Sequence, residues 1–413
     1  CLMAEAFMGY LLPWGQMSFR RRRRIRTRRR RNDQAAASAR VLPADVAGGG
    51  MSDDLQRELA AVRRQIDAVD GDLLALLNQR ARLAQQVGEI KARHGEAGFI
   101  YRPEREAQVL QRIQGMNPGP LSNESLTWFF REVMSACLSL EQPLGIAFLG
   151  PLGTFSESAA VKHFGHAARL LPQISIDDVF REVEALHADY AVVPIENSTE
   201  GAVGRTLDLL LTTPLKICGE VVLRIHQHLL SNETALAGVH KVYSHAQSLA
   251  QCHEWLNRSL PLAQRVPVGS NAQAAQLAAA ETGAAAIAGQ AAAERYQLPE
   301  LASNIEDEPN NTTRFAVLGR HDAGASGRDK TSLIMSAQNQ TGALSGLLAP
   351  FADAGVSMTR LESRPARHTL WEYVFFVDLD GHRDDEPLRR ALAELARRAP
   401  YLKLLGSYPM AAY

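Results

Sequence analysis

Ala191-Val-Val-Pro-Ile-Glu-Asn-Ser-Thr-Glu-Gly201 decides how the chain is read. An apolar, β-branched run ends at Pro194 and Ile195, then presents a carboxylate (Glu196), an amide (Asn197) and a hydroxyl (Ser198). A buried strand ending in polar groups is where open α/β sheets hold ligands. Taken alone, the three groups serve a strand-end cap as well as they serve a ligand. Around this run, Gly145-Ile-Ala-Phe-Leu149 and Tyr190-Ala-Val-Val193 read as buried strands with helical stretches between them, the α/β pattern. A second lobe is expected to begin near Glu220, to take in Val242, Tyr243 and the Ala-rich helix over residues 272–280, and to return through Arg314-Phe-Ala-Val-Leu318. Residues 321–329 form a Gly/Ser/charged linker, and strand, helix, strand, strand, helix, strand follow over residues 332–408.

Upstream, the pattern is helical. From Asp53 to about His94, Leu55, Leu59, Val62, Ile66, Val69, Leu73, Leu76, Leu83, Val87 and Ile90 fall at helical spacing without a proline. A helix near forty residues exceeds the ordinary globular range and calls for a bundle or coiled-coil partner. Residues 95–98 break it. Pro103 suits the first turn of a second helix, Pro118-Gly-Pro120 ends that helix, and a third runs from about Ser122 to Leu140. Three helices, one of them very long, do not enclose a core, so a dimer is expected. Arg80 continues Ile66 and Leu73 by sevens, where a bundle is normally apolar. Lys91 lies eleven residues on, about three turns along the same face. Arg63 lies a quarter-turn off that face. Alone, these are solvated helix charges.

The formal net charge of zero conceals an asymmetry. Residues 1–50 hold eleven of the 45 basic side chains and three of the 45 acidic ones, so the remainder is acidic by about eight charges. An acidic body argues against nucleic acid as the main partner. Four scattered cysteines, Cys1, Cys137, Cys218 and Cys252, have no disulfide or metal spacing, and a reducing cytoplasm is expected. Residues 4–19 resemble a fragment of cytochrome b and run into the arginines of residues 20–31. Their apolar part is too short to span a bilayer. Residues 1–50 are therefore expected to be a non-native or disordered extension, with Met51 the start of the folded chain.

Gly150-Pro-Leu-Gly-Thr-Phe-Ser-Glu-Ser-Ala-Ala160, the Glu196 stretch and Asn311-Thr-Thr-Arg-Phe315 are three motifs in order over residues 144–320, and together they resemble the prephenate dehydratase family. Residues 51–142 resemble the all-helical type of chorismate mutase. Residues 330–409 resemble an ACT regulatory domain, marked by Thr341-Gly-Ala-Leu-Ser345 and Arg360-Leu-Glu-Ser-Arg-Pro365. The order is that of the bacterial bifunctional enzymes of phenylalanine synthesis. The resemblance implies a multi-domain fold: an all-α mutase domain as an intertwined dimer, a two-lobed α/β dehydratase domain, and an α+β ferredoxin-like regulatory domain. It implies chorismate, prephenate and phenylalanine as ligands, with no cofactor and no metal.

Its residue assignments follow position by position. Arg63 from a second protomer, Arg80 and Arg105 are to bind carboxylates of chorismate, Lys91 and Glu141 to face the ether oxygen, and Glu106 to receive the ring hydroxyl. Guanidinium forks suit carboxylates, and a pericyclic rearrangement needs positioning and charge stabilisation rather than a nucleophile. Some relatives have Gln where Glu141 stands. In the dehydratase, Thr313 is the acid at the departing hydroxyl or its relay, and Arg314 and Phe315 shape the site. Glu196, Asn197 and Ser198 form the opposite wall, and Thr154 and Ser156 face the ligand. Ser244, His245 and Gln247 come from the second lobe. Thr154 with Glu157, and Ser244 with Gln247, also have capping-box spacing, which serves a helix start as readily. His226 and His228 lack a third ligand at metal spacing and read as structural. In the regulatory domain Gly342, Ala343 and Leu344 at a strand-to-helix turn, with Glu362, Ser363 and Arg364, are to hold phenylalanine between two subunits. Two rivals stand beside this reading: a dehydratase preferring arogenate, and a two-lobed amino-acid sensor without catalysis.

Overall fold

A computed structural model describes residues 50–94, 101–337, 340–365 and 373–411. The N-terminal extension, Gly50 apart, and the expected break at residues 95–98 lie outside the described residues. The chain divides into two units, Cys1–Asp67 and Ala68–Tyr413. The described part of the first is wholly helical and opens the helix Gly50–Arg93. Its Leu55, Leu59, Val62 and Ile66 are exposed.

In the second unit that helix runs on to Arg93, and Val69, Leu73, Leu76, Leu83, Val87 and Ile90 are exposed as well. Helices Pro103–Met116 and Asn123–Ser139 follow. Pro103 takes the first turn, where its missing N–H costs nothing, and the Ser122 hydroxyl accepts the Ser125 N–H as a cap. Among the described residues no helix is long and apolar enough to cross a membrane.

The first lobe is a six-stranded sheet in the order Arg169–Gln173, Gly145–Leu149, Tyr190–Asn197, Thr312–Gly319, Lys216–Arg224, with the short Gly201–Ala202 added to Tyr190–Asn197. The first three strands are parallel. Thr312–Gly319 runs against both of its neighbours. The second lobe is a five-stranded sheet, Glu300–Ala302, His228–Ser231, Ala284–Ala288, Lys241–His245, Gln264–Val268. Its boundary lies after Arg224 rather than near Glu220 as expected. Residues 221–224 pair with residues 312–315 through the returning strand, which sequence order hides.

The third sheet, Met358–Pro365, Tyr373–Asp380, Asp329–Ser336, Tyr401–Pro409, is antiparallel throughout. One face carries helices Ala343–Asp353 and Glu386–Arg398, with Leu347, Phe351, Leu388 and Leu395 packed on Leu333, Met335, Val377 and Leu379. The other face, through Ile334, Phe376, Leu405 and Tyr408, joins Leu207, Leu210, Ile217, Ala316 and Leu318 of the first lobe in one apolar core. Full burial of each such side chain contributes about 1.5–3 kcal/mol. At Gly406 a Cβ would lie 2.0 Å from the Ile217 carbonyl oxygen, so only glycine permits this approach. Lys403 Nζ donates to the carbonyls of Leu210, Leu211 and Thr213, closing the C-terminus of helix Gly204–Thr212.

Charged groups pair in the same seam, buried apart from the partly exposed Glu196. Arg314 Nη1 lies 2.7 Å from Asp378 Oδ2 and 3.5 Å from Glu220 Oε2, and its Nη2 lies 3.3 Å from Glu196 Oε2. Arg360 meets Glu196 at 3.2 Å, and Lys330 meets Glu220 at 2.8 Å. Burial alone would raise the Asp378 carboxyl, but Arg314, the Ser332 hydroxyl and Arg360 outweigh it and hold the pKa below its ordinary value. Asp378→Ala is expected to destabilise the fold by about 1–3 kcal/mol, because it removes the nearest partner of Arg314 and leaves only Glu220 and Glu196, at 3.5 and 3.3 Å, to balance that charge. Since the folded pKa is depressed, the wild-type contribution is full above the unfolded value near 3.9 and is lost as pH falls through the folded one. Urea midpoints of the two proteins at neutral pH check this, and coincident midpoints would show the pair to be dispensable.

Candidate active sites

Strands Gly145–Leu149 and Tyr190–Asn197 end at one edge of the first sheet, and Thr312–Gly319, running the other way, begins there. Helix Phe155–Phe164 starts at the same edge. In the second lobe the parallel strands Lys241–His245 and Ala284–Ala288 likewise lead into helices Ala246–Gln251 and Gln290–Tyr296. The two edges meet. A Cβ on Gly153 would lie 3.4 Å from Ala272 Cβ, and one on Gly289 would lie 2.6 Å from the Phe155 ring. The result is a cleft between lobes with helix N-termini on both sides, whose free N–H groups favour anions.

Within this edge the side chains alternate. Asn197 and Thr313 are register partners and share one face; Asn197 Nδ2 donates to Thr313 Oγ1 at 2.8 Å. Both are buried. Glu196 and Arg314 are also register partners, but they point the other way, into the charged seam with Asp378 and Arg360. Thr313 and Asn197 therefore share one face and Arg314 and Glu196 the other, where the expectation set Arg314 beside Thr313 and Glu196 beside Asn197 on the opposite wall. The reason is the period of two along a strand. Phe315 is buried with Phe148, Phe164 and Tyr190 in the apolar layer beneath. Ser198 ties two strand ends together, its Oγ accepting the Thr312 N–H at 2.9 Å.

Thr154 is occupied as a cap: its hydroxyl accepts from the Glu157 N–H and donates to the Leu149 carbonyl. Glu157 returns a bond from the Gly153 N–H, one residue before the N-cap. Ser156, the second residue of the helix, is buried, and its hydroxyl has no hydrogen bond among the described residues. In the second lobe Ser244 is no cap. Its hydroxyl bonds Asn271 Oδ1 and the Ile287 carbonyl, and His245 Nδ1 accepts the Gln247 N–H instead. Gln247 is half-buried with its side-chain amide uncommitted among the described residues. Gln251 Nε2 crosses to Glu200 Oε1 of the first lobe at 3.2 Å. Carboxylates meet both histidines: Glu306 lies 2.9 Å from His226, and Glu300 lies 3.5 Å from His228.

In the helical region Lys91 and Glu141 line one open pocket of about 400 Å³. Burial pushes the Glu141 carboxyl above its ordinary pKa, against the opposing pull of Lys91. Its Oε2 is buried without a hydrogen-bond partner among the described residues. Within the second unit, Arg80, Arg105 and Glu106 do not line this pocket. Arg63 and Arg105 are exposed and Arg80 is half-buried. Glu106 turns to Arg131, 3.1 Å away, in a separate cavity with Tyr101 and His163.

In the regulatory domain Gly342 takes a left-handed conformation, φ 76°, and starts helix Ala343–Asp353. Thr341, Gly342 and Ala343 line a pocket of about 240 Å³ with Arg398, and Leu344 is half-buried in the helix's first turn. Glu362, Ser363 and Arg364 stand on the edge strand Met358–Pro365 and do not reach that pocket. Arg364 instead docks on the dehydratase, donating to the Gly204 carbonyl at 2.8 Å and meeting Asp208 at 3.3 Å.

Three organising residues escaped the sequence reading. Asn271 accepts from Ser244 and from the His245 N–H, Asn311 accepts from Asn197, and Asp378 pairs with Arg314. Asn311 sits inside a quoted motif. Nothing in the local sequence marks the other two.

Residues 146–323 match the family profile for prephenate dehydratase, residues 62–142 that for chorismate mutase type II, and residues 331–397 that for the ACT domain. The bifunctional chorismate mutase/prephenate dehydratase of Neisseria gonorrhoeae is 55% identical over 364 residues, covering 87% of this chain and 99% of that protein. The protein of the same description from Pseudomonas aeruginosa is 50% identical over 360 residues, covering 86% and 99%. A prephenate dehydratase from Arthrobacter aurescens, solved in complex with L-Phe, is 36% identical with a TM-score of 0.60, covering 64% of this chain and 90% of that one. Near-complete coverage of relatives at this identity, over all three regions in the same order, means that the chain belongs to the family of bifunctional chorismate mutase/prephenate dehydratases.

Proposed function

We propose that the chain rearranges chorismate to prephenate in its helical region and converts prephenate to phenylpyruvate in the cleft between the α/β lobes. The observation that carries the second step is the Asn197–Thr313 hydrogen bond at that cleft. An oxygen that accepts from an amide leaves its own O–H to donate elsewhere. Thr313 then donates to the hydroxyl that departs from prephenate. The bond to the ring carboxylate breaks, its electron pair becomes a ring π bond, and the opposite C–O bond breaks. Carbon dioxide leaves, and the departing hydroxide takes the Thr313 proton to leave as water, Thr313 regaining a proton from solvent. Ser156 and the first-turn N–H groups of helix Phe155–Phe164 receive a substrate carboxylate, with His245 and Gln247 across the cleft. Glu196 and Arg314 act through the strands they share with Asn197 and Thr313.

For the mutase, Lys91 and a protonated Glu141 donate to the ether oxygen as charge develops there. Arg80, Arg105 and Glu106 complete the site with Arg63 from a second copy of the chain. The exposed apolar residues of helix Gly50–Arg93 support that dimer: Val69, Leu76, Leu83 and Ile90 recur every seven residues, and Val69 is 63% exposed. Sedimentation of a monomer at micromolar concentration would count against it. Phenylalanine at Gly342–Leu344, closed by Glu362 and Ser363 of a second subunit, inhibits the dehydratase. The L-Phe complex of the related dehydratase supports this. Three buried free thiols, Cys137, Cys218 and Cys252, are in keeping with a reducing cytoplasm.

Thr313→Ala is expected to slow phenylpyruvate formation at least about a hundredfold while mutase turnover is unchanged. Near-normal phenylpyruvate formation would sink the assignment. Because Glu141 must be protonated to donate and its pKa is raised, mutase turnover should be highest in mildly acid solution and decline as pH rises past that pKa. Glu141→Gln donates at every pH and should flatten the decline. Identical pH profiles for the two proteins would remove Glu141 from the ether oxygen. Millimolar phenylalanine should inhibit dehydration, and Arg364→Ala, which loosens the regulatory domain from Gly204 and Asp208, should weaken that inhibition. An enzyme indifferent to phenylalanine would refute the feedback reading.

A further inference from the structure

The Asn197 side chain is fixed from one side. Its Oδ1 accepts the Thr199 N–H at 3.0 Å, the Glu200 N–H at 3.2 Å and the Thr199 hydroxyl at 2.6 Å. Backbone N–H groups only donate, so this atom is the oxygen, and the amide's two hydrogens point away from it. One goes to Thr313 Oγ1 and the other to Asn311 Oδ1, both at 2.8 Å. The aim of the Thr313 hydrogen therefore depends on where Asn311 holds the Asn197 amide.

The cost of this arrangement falls on Asn311. It is 1% exposed, and its own Nδ2 has no hydrogen-bond partner among the described residues. A buried donor left unpaired is destabilising. An aspartate would accept the Asn197 hydrogen and leave no donor orphaned. It would also add a negative charge, two hydrogen bonds behind the hydroxyl that meets the substrate. Prephenate carries two carboxylates and sheds hydroxide in this cleft, and a charge there opposes both. The local backbone does not need the Asn311 side chain. The Asn311 carbonyl accepts the Ile225 N–H at 2.8 Å, its N–H reaches the Glu308 carbonyl, and Arg224 holds the Pro309 carbonyl.

We infer that Asn311 is a positioning residue of the dehydratase: a neutral acceptor that fixes the Asn197 amide, and through it the Thr313 hydroxyl, without setting a negative charge behind the leaving group. This rests on the proposed role of the cleft. The segment itself carries Glu306, paired with His226, Asp307, which accepts the Glu254 and Trp255 N–H groups, and Glu308, whose carbonyl accepts the Asn311 N–H. Arg224 holds the Pro309 carbonyl, and Glu200 follows Asn197 and meets Gln251. They are common to every variant compared.

The test is steady-state turnover of prephenate by the full chain, wild type against Asn311→Ala and Asn311→Asp, from acid to neutral pH. Asn311→Ala should lower kcat at least about tenfold and change KM by no more than about twofold, the signature of a lost transition-state interaction. Asn311→Asp should keep more activity than Asn311→Ala in acid, where its carboxyl is neutral. It should lose kcat/KM as pH rises, through a titration that the wild type lacks. Mutase turnover in the same samples reports folding, and the isosteric aspartate keeps the test open if the alanine variant is unstable. A wild-type kcat in Asn311→Ala, or a wild-type pH profile in Asn311→Asp, overturns the inference. If the wild type itself forms no phenylpyruvate from prephenate, it is the reading of the cleft that fails, and a result confined to Asn311 leaves that reading standing.

Discussion

Two antiparallel strands, residues 190–197 and 312–319, carry the Asn197–Thr313 hydrogen bond on one face and the Glu196–Arg314 ion pair on the other. Because side chains alternate, Asn197 and Thr313 share one face while Glu196 and Arg314, their immediate neighbours, look into the regulatory domain. No loop or hinge intervenes between the two pairs. A shift of Asp378 or Arg360 against Arg314 and Glu196 is a shift in the backbone that carries Thr313. The charged groups there are paired and, Glu196 apart, buried, so they tolerate little misplacement: an unmatched charge in that seam is far more costly than an apolar mismatch.

The order of domains and the identity of the strands were legible because they rest on periodicity and on short motifs. Residues 145–149 and 190–193 are strands, Pro103 and Ser122 do mark helix starts, and Thr154 caps the Glu157 N–H while the Glu157 carboxylate reaches the Gly153 N–H, one residue before the N-cap. What sequence could not resolve was direction. Glu196-Asn197 and Thr313-Arg314 read as consecutive site residues, and a strand sends consecutive residues to opposite sides. Arg364 was read as a ligand contact because its motif suggested it, whereas its partners, Gly204 and Asp208, are some 160 residues earlier in the chain. Asp378 lies in a strand whose neighbours are all apolar or acidic, and only the packing of two sheets reveals its partner.

The mutase region is limited by a different constraint. A single long helix has an apolar surface that its own chain does not cover, and the residues expected to bind chorismate lie on elements that do not converge within the chain. Lys91 and Glu141 are the exception, since the end of the third helix returns to the long one near Gly88, where Glu141 Oε2 lies 2.9 Å from the position of an added Cβ. That glycine leaves room for the carboxyl, and burial there raises its pKa. Lys91 and Glu141 are thus brought to one pocket by the fold of a single chain.

Lys403 carries a consequence of its own. A helix normally finishes within its own domain, by a glycine or by water. Helix Gly204–Thr212 is finished by an ammonium from the regulatory domain, next to a core to which both domains contribute. The two are consequently one cooperative body rather than two modules joined by a linker. Cutting the chain between them would leave frayed carbonyls and an open apolar sheet, so exchange of regulatory domains among relatives requires the receiving sheet to change with them.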